Sequence, residues 1–114
     1  ITHMCYGAFE LIYPDLLKSP VDNFDLAISN SELDLIKIFE KHPFTRDISV
    51  GVVDVHTHVI EDLEVVRARI QRALDVFPLE SAWIDPDCGL KTRSVEEAIA
   101  KMKVLVEAAK TFRN

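Results

Sequence analysis

The sequence predicts an α/β fold of about four βα units, the C-terminal half of a (β/α)8 TIM barrel, as a single segment over residues 1–114. Three observations predict it. Short runs rich in β-branched residues alternate with longer amphipathic stretches, the order that yields parallel strands with helices packed outside them. Histidine and cysteine fall where those runs end, the rim at which such barrels place their chemistry. Finally, a four-strand parallel sheet would leave its edges open and one face poorly covered. The other barrel half is therefore expected from the same longer chain, a partner chain or a second copy. Only Ile1 and Thr2 precede His3, so the expectation is a segment whose N-terminal strands lie upstream.

Residues 1–4 read as the end of a strand, followed by a helical stretch at about 7–18 in which Pro14 starts or kinks the second half. Asn23 to Ile28 reads as a short strand. Ser29 or Asn30 can cap a helix at about 31–41, with Leu33, Leu35, Ile36 and Phe39 as its apolar face. Ile48 to Val55 is a strand rich in valine and isoleucine. The helix at about 61–77 carries an apolar stripe of Leu63, Val66, Ile70, Ala73, Leu74 and Phe77, which leaves Glu61, Asp62, Glu64, Arg67, Arg69 and Arg72 for a solvated face. Ala82 to Ile84 is the fourth strand. Ser94-Val95-Glu96-Glu97 has the capping-box pattern and opens a last helix, with Val95, Ala98, Ile99, Met102, Leu105, Val106, Ala109 and Phe112 on one stripe.

Composition narrows the function. The net charge of −6 and the lack of a Lys/Arg block argue against a nucleic-acid surface. The apolar stretches are too short to cross a bilayer. Two cysteines far apart in sequence, without a secretory context, fit a reduced, cytoplasmic protein. No GxGxxG or P-loop pattern occurs, so the common dinucleotide and phosphate fingerprints are absent.

Both cysteines and three of the four histidines lie at strand ends; His42 sits at a helix end, where dipole complementarity accounts for it. His3, Cys5 and Cys88 form a zinc-type donor set, because soft thiolates with an imidazole suit Zn²⁺ and a catalytic site takes three protein ligands and one open position. A regular strand points His3 and Cys5 to one side. The plain alternative is two buried free cysteines acting as small hydrophobes; a Cys5–Cys88 disulfide is another. His56 and His58 read as an HxH pair for a metal-dependent hydrolase, but no histidine follows His58 to complete such a site. His56 also reads as a residue held by Asp54, or as a proton donor near neutral pH.

Three stretches carry a family likeness: His3-Met4-Cys5-Tyr6-Gly7, Gly51-Val52-Val53-Asp54-Val55-His56-Thr57, and Asp85-Pro86-Asp87-Cys88-Gly89-Leu90-Lys91-Thr92-Arg93. With them the chain resembles the C-terminal catalytic part of cobalamin-independent methionine synthase, most closely the short archaeal type. The resemblance implies a (β/α)8 barrel in which zinc holds homocysteine sulfur as a thiolate for attack on a methyl group. It implies His3, Cys5 and Cys88 as metal ligands, His56 as the residue that protonates a leaving pterin nitrogen, and Asp54 as its orienting partner. The methyl donor would be a methyltetrahydrofolate or pterin, or a methylcorrinoid protein.

One departure stands out. The family's fourth zinc ligand is a glutamate, and an ungapped alignment of Asp25 to Asn30 puts Ala27 in its place. Asp25, two residues earlier, is a substitute on the same side of the strand; Glu32 is less well placed. Ala27 therefore supports an alternative: a non-catalytic half-barrel paralogue or subunit that lost this ligand.

Overall fold

The computed structural model describes residues 1–5, 9–13, 15–30, 38–39 and 41–113. Its elements are β1 (Thr2–Met4), α1 (Phe9–Ile12), a 3-10 turn (Asp15–Lys18), β2 (Asn23–Ala27), β3 (Asp47–Val53), α2 (Leu63–Leu74), β4 (Ala82–Pro86) and α3 (Val95–Lys110). Among the described residues, the helical stretch expected at about 7–18 is a short α-helix before position 14 and a 3-10 turn after it. Most of the helix expected at 31–41, Glu32 included, lies outside the described residues; Ile38, Phe39 and Lys41 are helical.

The four strands form one parallel sheet in the order β1-β2-β3-β4. Strands adjacent in sequence are thus adjacent in space. This is the arrangement of a barrel wall, in which each crossover returns beside the strand it left. Residues in register on parallel strands share a face, and successive residues alternate.

One face is apolar and covered. Leu26, Ile48, Val50 and Val52 pack against Val66, Ile70, Ala73 and Phe77 and against Leu105 and Ala108 of α3. Below them Phe39, Phe44 and Phe77 meet edge to face at 5.0–5.9 Å, the geometry that aromatic quadrupoles favour. Arg46 closes this end: its guanidinium donates to the carbonyls of Leu17, Ser19 and Val21.

The other face is polar. The register lines His3 up with Asp25, Asp25 with Ser49, Ser49 with Trp83, and Ala27 with Gly51 and Asp85. Ser49 donates to Asn23 at 3.1 Å, and the indole of Trp83, 58% exposed, to Asp47 at 3.3 Å. No helix covers this face among the described residues, as suits the inner wall of a barrel. None of the described helices is long and apolar enough to cross a membrane.

Two expectations about helix faces are corrected. On α3 the buried line is Lys101, Leu105 and Ala108, whereas Val95, Ile99 and Val106 of the expected stripe are exposed. The apolar side of this helix is broader than the side the sheet can take, and the sheet's approach selects the line containing the lysine. On the α2 side, Glu61 is not solvated: its side chain is 8% exposed and pairs with the fully buried Lys101 amine at 2.9 Å. The capping box at Ser94 and Glu97 is present as the sequence predicts.

Removing buried side-chain volume from the covered face leaves a cavity that relaxes only partly. Ile70→Ala should lower unfolding free energy by about 2–5 kcal/mol, while Val106→Ala, on the exposed side of α3, should change it by roughly 0.5 kcal/mol or less. Urea denaturation of the two variants checks this.

Candidate metal centre

The strand carboxyl ends bring three distant residues together. His3 lies in β1, Cys5 just beyond it, and Cys88 two residues past β4. One ligand atom from each of His3, Cys5 and Cys88 lies within 4.8 Å of the others, the one such grouping of metal-capable side chains among the described residues. Both cysteines are free. His3 Nδ1 lies 2.6 Å from Asp25 Oδ2. With the proton on Nδ1, the carboxylate accepts it and Nε2 keeps its lone pair, the way metal-bound histidines are usually oriented. Asp25 is thus engaged with the imidazole.

This donor set fits zinc. Two thiolates and an imidazole match its preference, and a tetrahedral ion with bonds of about 2.1–2.3 Å holds such atoms roughly 3.5–3.8 Å apart. With separations within 4.8 Å, the grouping needs a contraction of at most about 1 Å, within the reach of side-chain rotation. Desolvation first, then the adjacent Cys88, raises the Cys5 thiol above its ordinary pKa. A bound cation reverses that preference, since it favours the thiolate and releases the proton.

Ala27 is buried and in register with Gly51; it offers no ligand atom. Along the same line stands Asp85, whose Oδ1 is buried without a hydrogen-bond partner among the described residues. Burial, then the charge of Asp25, pushes Asp85 up to about 7, with His3 opposing and Asp87 adding to the rise.

Asp54 and His56 sit on the loop after β3. Asp54 Oδ1 accepts the backbone N–H of His56 at 2.8 Å, and Oδ2 accepts Asn30 Nδ2 at 2.6 Å. Burial pushes the Asp54 carboxyl up, but the bonds from His56 and Asn30 outweigh it and hold Asp54 below the usual carboxylate range. The loop is pinned from below: Glu61 Oε1 accepts the Asp54 N–H at 2.8 Å, and Lys101 Nζ donates to Val59 O at 2.5 Å and to Glu61 Oε2 at 2.9 Å. Arg69 adds a bond to Val52 O at 2.8 Å. His58 turns to α3, where its Nδ1 lies 2.8 Å from Glu97 Oε1. Neither His56 nor His58 belongs to a metal-capable grouping among the described residues.

Sequence reading missed Glu61, Arg69 and Lys101 as supports of this rim. The available signal was spacing: Lys101 precedes Leu105 and Ala108 by four and seven residues, the repeat of one helix face.

The family model described as the cobalamin-independent synthase catalytic domain matches residues 1–111. Among curated proteins the chain is 38% identical over 112 residues to the 5-methyltetrahydropteroyltriglutamate–homocysteine methyltransferases of Lactococcus lactis subsp. lactis and Photobacterium profundum, covering 98% of this chain. That of Pasteurella multocida is 37% identical. The chain spans 15% of the length of these relatives. A solved structure described as a B12-independent methionine synthase from Shewanella sp. W3-18-1, in complex with selenomethionine, superposes with a TM-score of 0.85 at 24% identity. The match covers 97% of this chain and 37% of that one; it establishes the fold as part of that barrel.

Two outcomes follow from the rim. Because folding raises the Asp85 pKa from its ordinary 3.8 to about 7, the folded state binds more protons than the unfolded one between those values. Asp85 therefore lowers stability as pH rises through that window. Chemical denaturation of the metal-free protein at several pH values should show this slope, and Asp85→Asn should flatten it. Lys101→Ala removes the buried amine that pairs with Glu61, leaving Glu61 only the longer contact to Arg69 at 3.8 Å and the Asp54 N–H, and should cost about 1–3 kcal/mol. Hydrogen exchange should then rise first at Asp54 and His56.

Proposed function

Because the chain belongs to the family of the cobalamin-independent synthase catalytic domain, we propose that it carries the zinc-binding part of a methyltransferase. That enzyme moves a methyl group from a folate or pterin, or from a methylcorrinoid, to the thiolate of homocysteine, forming methionine. The observation that carries this reading is the convergence of His3, Cys5 and Cys88 within 4.8 Å at the carboxyl rim of the sheet. The refinement to the short archaeal type rests on the sequence motifs alone.

In this reading His3, Cys5 and Cys88 hold zinc, which when bound lowers the pKa of a thiol entering its open position and so provides a nucleophile at neutral pH. The protein residues do the rest. Asp25 fixes the His3 ring in the tautomer that presents Nε2. Two cysteine ligands leave more electron density on the substrate sulfur than neutral ligands would, which keeps it reactive toward a methyl group. Asp54 clamps the backbone turn that carries His56. His56 supplies a proton to the nitrogen of the departing pterin, a task imidazole suits near neutral pH. The grips on the amino and carboxylate groups of homocysteine, and much of the donor pocket, belong to the other half of the barrel. That half faces the polar wall lined by Asp25, Ser49 and Trp83 and comes from the same longer chain, a partner or a second copy. A reducing, cytoplasmic setting suits two free thiols.

Ala27 favours one further reading. With no carboxylate at this position, the chain fits a diverged relative that keeps the wall of the barrel and has lost methyl transfer. Ala27→Glu separates the two: tighter zinc binding supports an otherwise competent site, and unchanged binding supports divergence.

Elemental analysis of protein purified under reducing conditions should find about one zinc per chain. Cys5→Ser and Cys88→Ser should each lose most of it, and His58→Ala should keep it. A zinc-free wild type, or retention of metal by both cysteine variants, sinks the proposal.

A further inference from the structure

Asp87 is fully buried, unlike the partly exposed carboxylates of Asp25 and Asp54. Its bonds reach two other strands. Oδ1 accepts the backbone N–H of Ser29 at 3.0 Å, and Oδ2 accepts the Ser29 hydroxyl, so both oxygens hold the turn that follows β2. Its own N–H donates to Val53 O at 2.9 Å, at the end of β3. Gly51 makes room: a Cβ there would stand 2.4 Å from Asp87 Oδ1 and 2.7 Å from Asp87 Cα. No side chain on β3 at this point is compatible with the seat Asp87 occupies.

Cys88 is the next residue in the chain. Past β4 the backbone leaves the sheet, and a cysteine on a free loop would sweep a wide volume. The Asp87 seat removes that freedom one residue before the thiol must meet Cys5 and His3. Burying an ionised carboxylate is costly even when it is hydrogen-bonded. A neutral asparagine could make a comparable pair of bonds to Ser29, accepting its N–H and donating to its hydroxyl. A buried negative charge one residue from Cys88 also attracts a cation.

We infer that Asp87 is a positioning residue of the metal centre, holding Cys88 in ligating range through Ser29 and the Gly51 seat and strengthening cation binding through its buried charge. This rests on the zinc reading of His3, Cys5 and Cys88 given above. It extends that reading to a residue that touches neither the ion nor the substrate.

The test uses purified wild type, Asp87→Asn, Asp87→Ala and Ser29→Ala. Zinc affinity is measured by competition with a chromophoric chelator, coordination by the visible absorption of the Co²⁺-loaded form, and stability by the melting temperature of the metal-free form. Asp87→Ala should weaken zinc binding roughly tenfold to a hundredfold, the range found when supporting partners of metal ligands are removed. Asp87→Asn should keep the tetrahedral Co²⁺ spectrum yet bind more weakly than wild type, which isolates the charge. Ser29→Ala should keep the charge and weaken binding less than Asp87→Ala, which isolates the tether. Should Asp87→Ala fail to fold, Asp87→Asn and Ser29→Ala still decide the matter. Wild-type affinity in both of these, whatever their melting temperatures, overturns the inference and leaves Asp87 a structural residue only. A wild type that takes up neither Zn²⁺ nor Co²⁺ removes the zinc reading itself, and this inference with it.

Discussion

Parallel pairing of four strands is the constraint from which the rest follows. It sends every carboxyl end to one rim, and it makes register decide which side chains look inward. His3, Asp25, Ala27, Ser49, Gly51, Trp83 and Asp85 share the polar face because the ladder aligns them. Leu26, Ile48, Val50 and Val52 share the apolar one and meet the helices. A slip of one residue in any strand would exchange the two sets. The site and the core are therefore fixed by the same hydrogen bonds.

The rim is held by buried polar groups rather than by apolar packing. Asp87 joins the ends of β2, β3 and β4, while Glu61 and Lys101 join the loop after β3 to α3. Each satisfies the other's charge or a backbone donor, which is the condition under which such groups survive burial. Loops at a barrel mouth have little core beneath them. Networks of this kind give them defined positions, and defined positions are what a three-residue metal centre requires.

Much of the fold was legible in the residues. Val50, Val52 and Val53 mark a strand, and Val66, Ile70, Ala73 and Phe77 mark a helix, because burial on one side leaves a period that sequence records. The Ser94–Glu97 box was legible because it is local. The orientation of α3 was not: its apolar residues cover more than half the helix, so periodicity could not choose between the line of Val95, Ile99 and Val106 and the line of Lys101, Leu105 and Ala108. Glu61 read as a solvated charge because its pairing with Lys101 spans 40 positions.

The sequence by itself determined the alternation of strands and helices, the donor types at the strand ends and the family to which those motifs point. These depend on side-chain chemistry and short spacings. Only the tertiary structure decided that His3, Cys5 and Cys88 share one place, that Asp25 serves the imidazole, and that His58 belongs to Glu97 rather than to the metal-capable cluster. It also decided that Asp87, indistinguishable in sequence from any aspartate of a polar loop, lies buried against Gly51. Contacts between residues 58 apart, as for Ser29 and Asp87, arise from strand register and close packing, and neither is encoded in the identity of the residues taken one at a time.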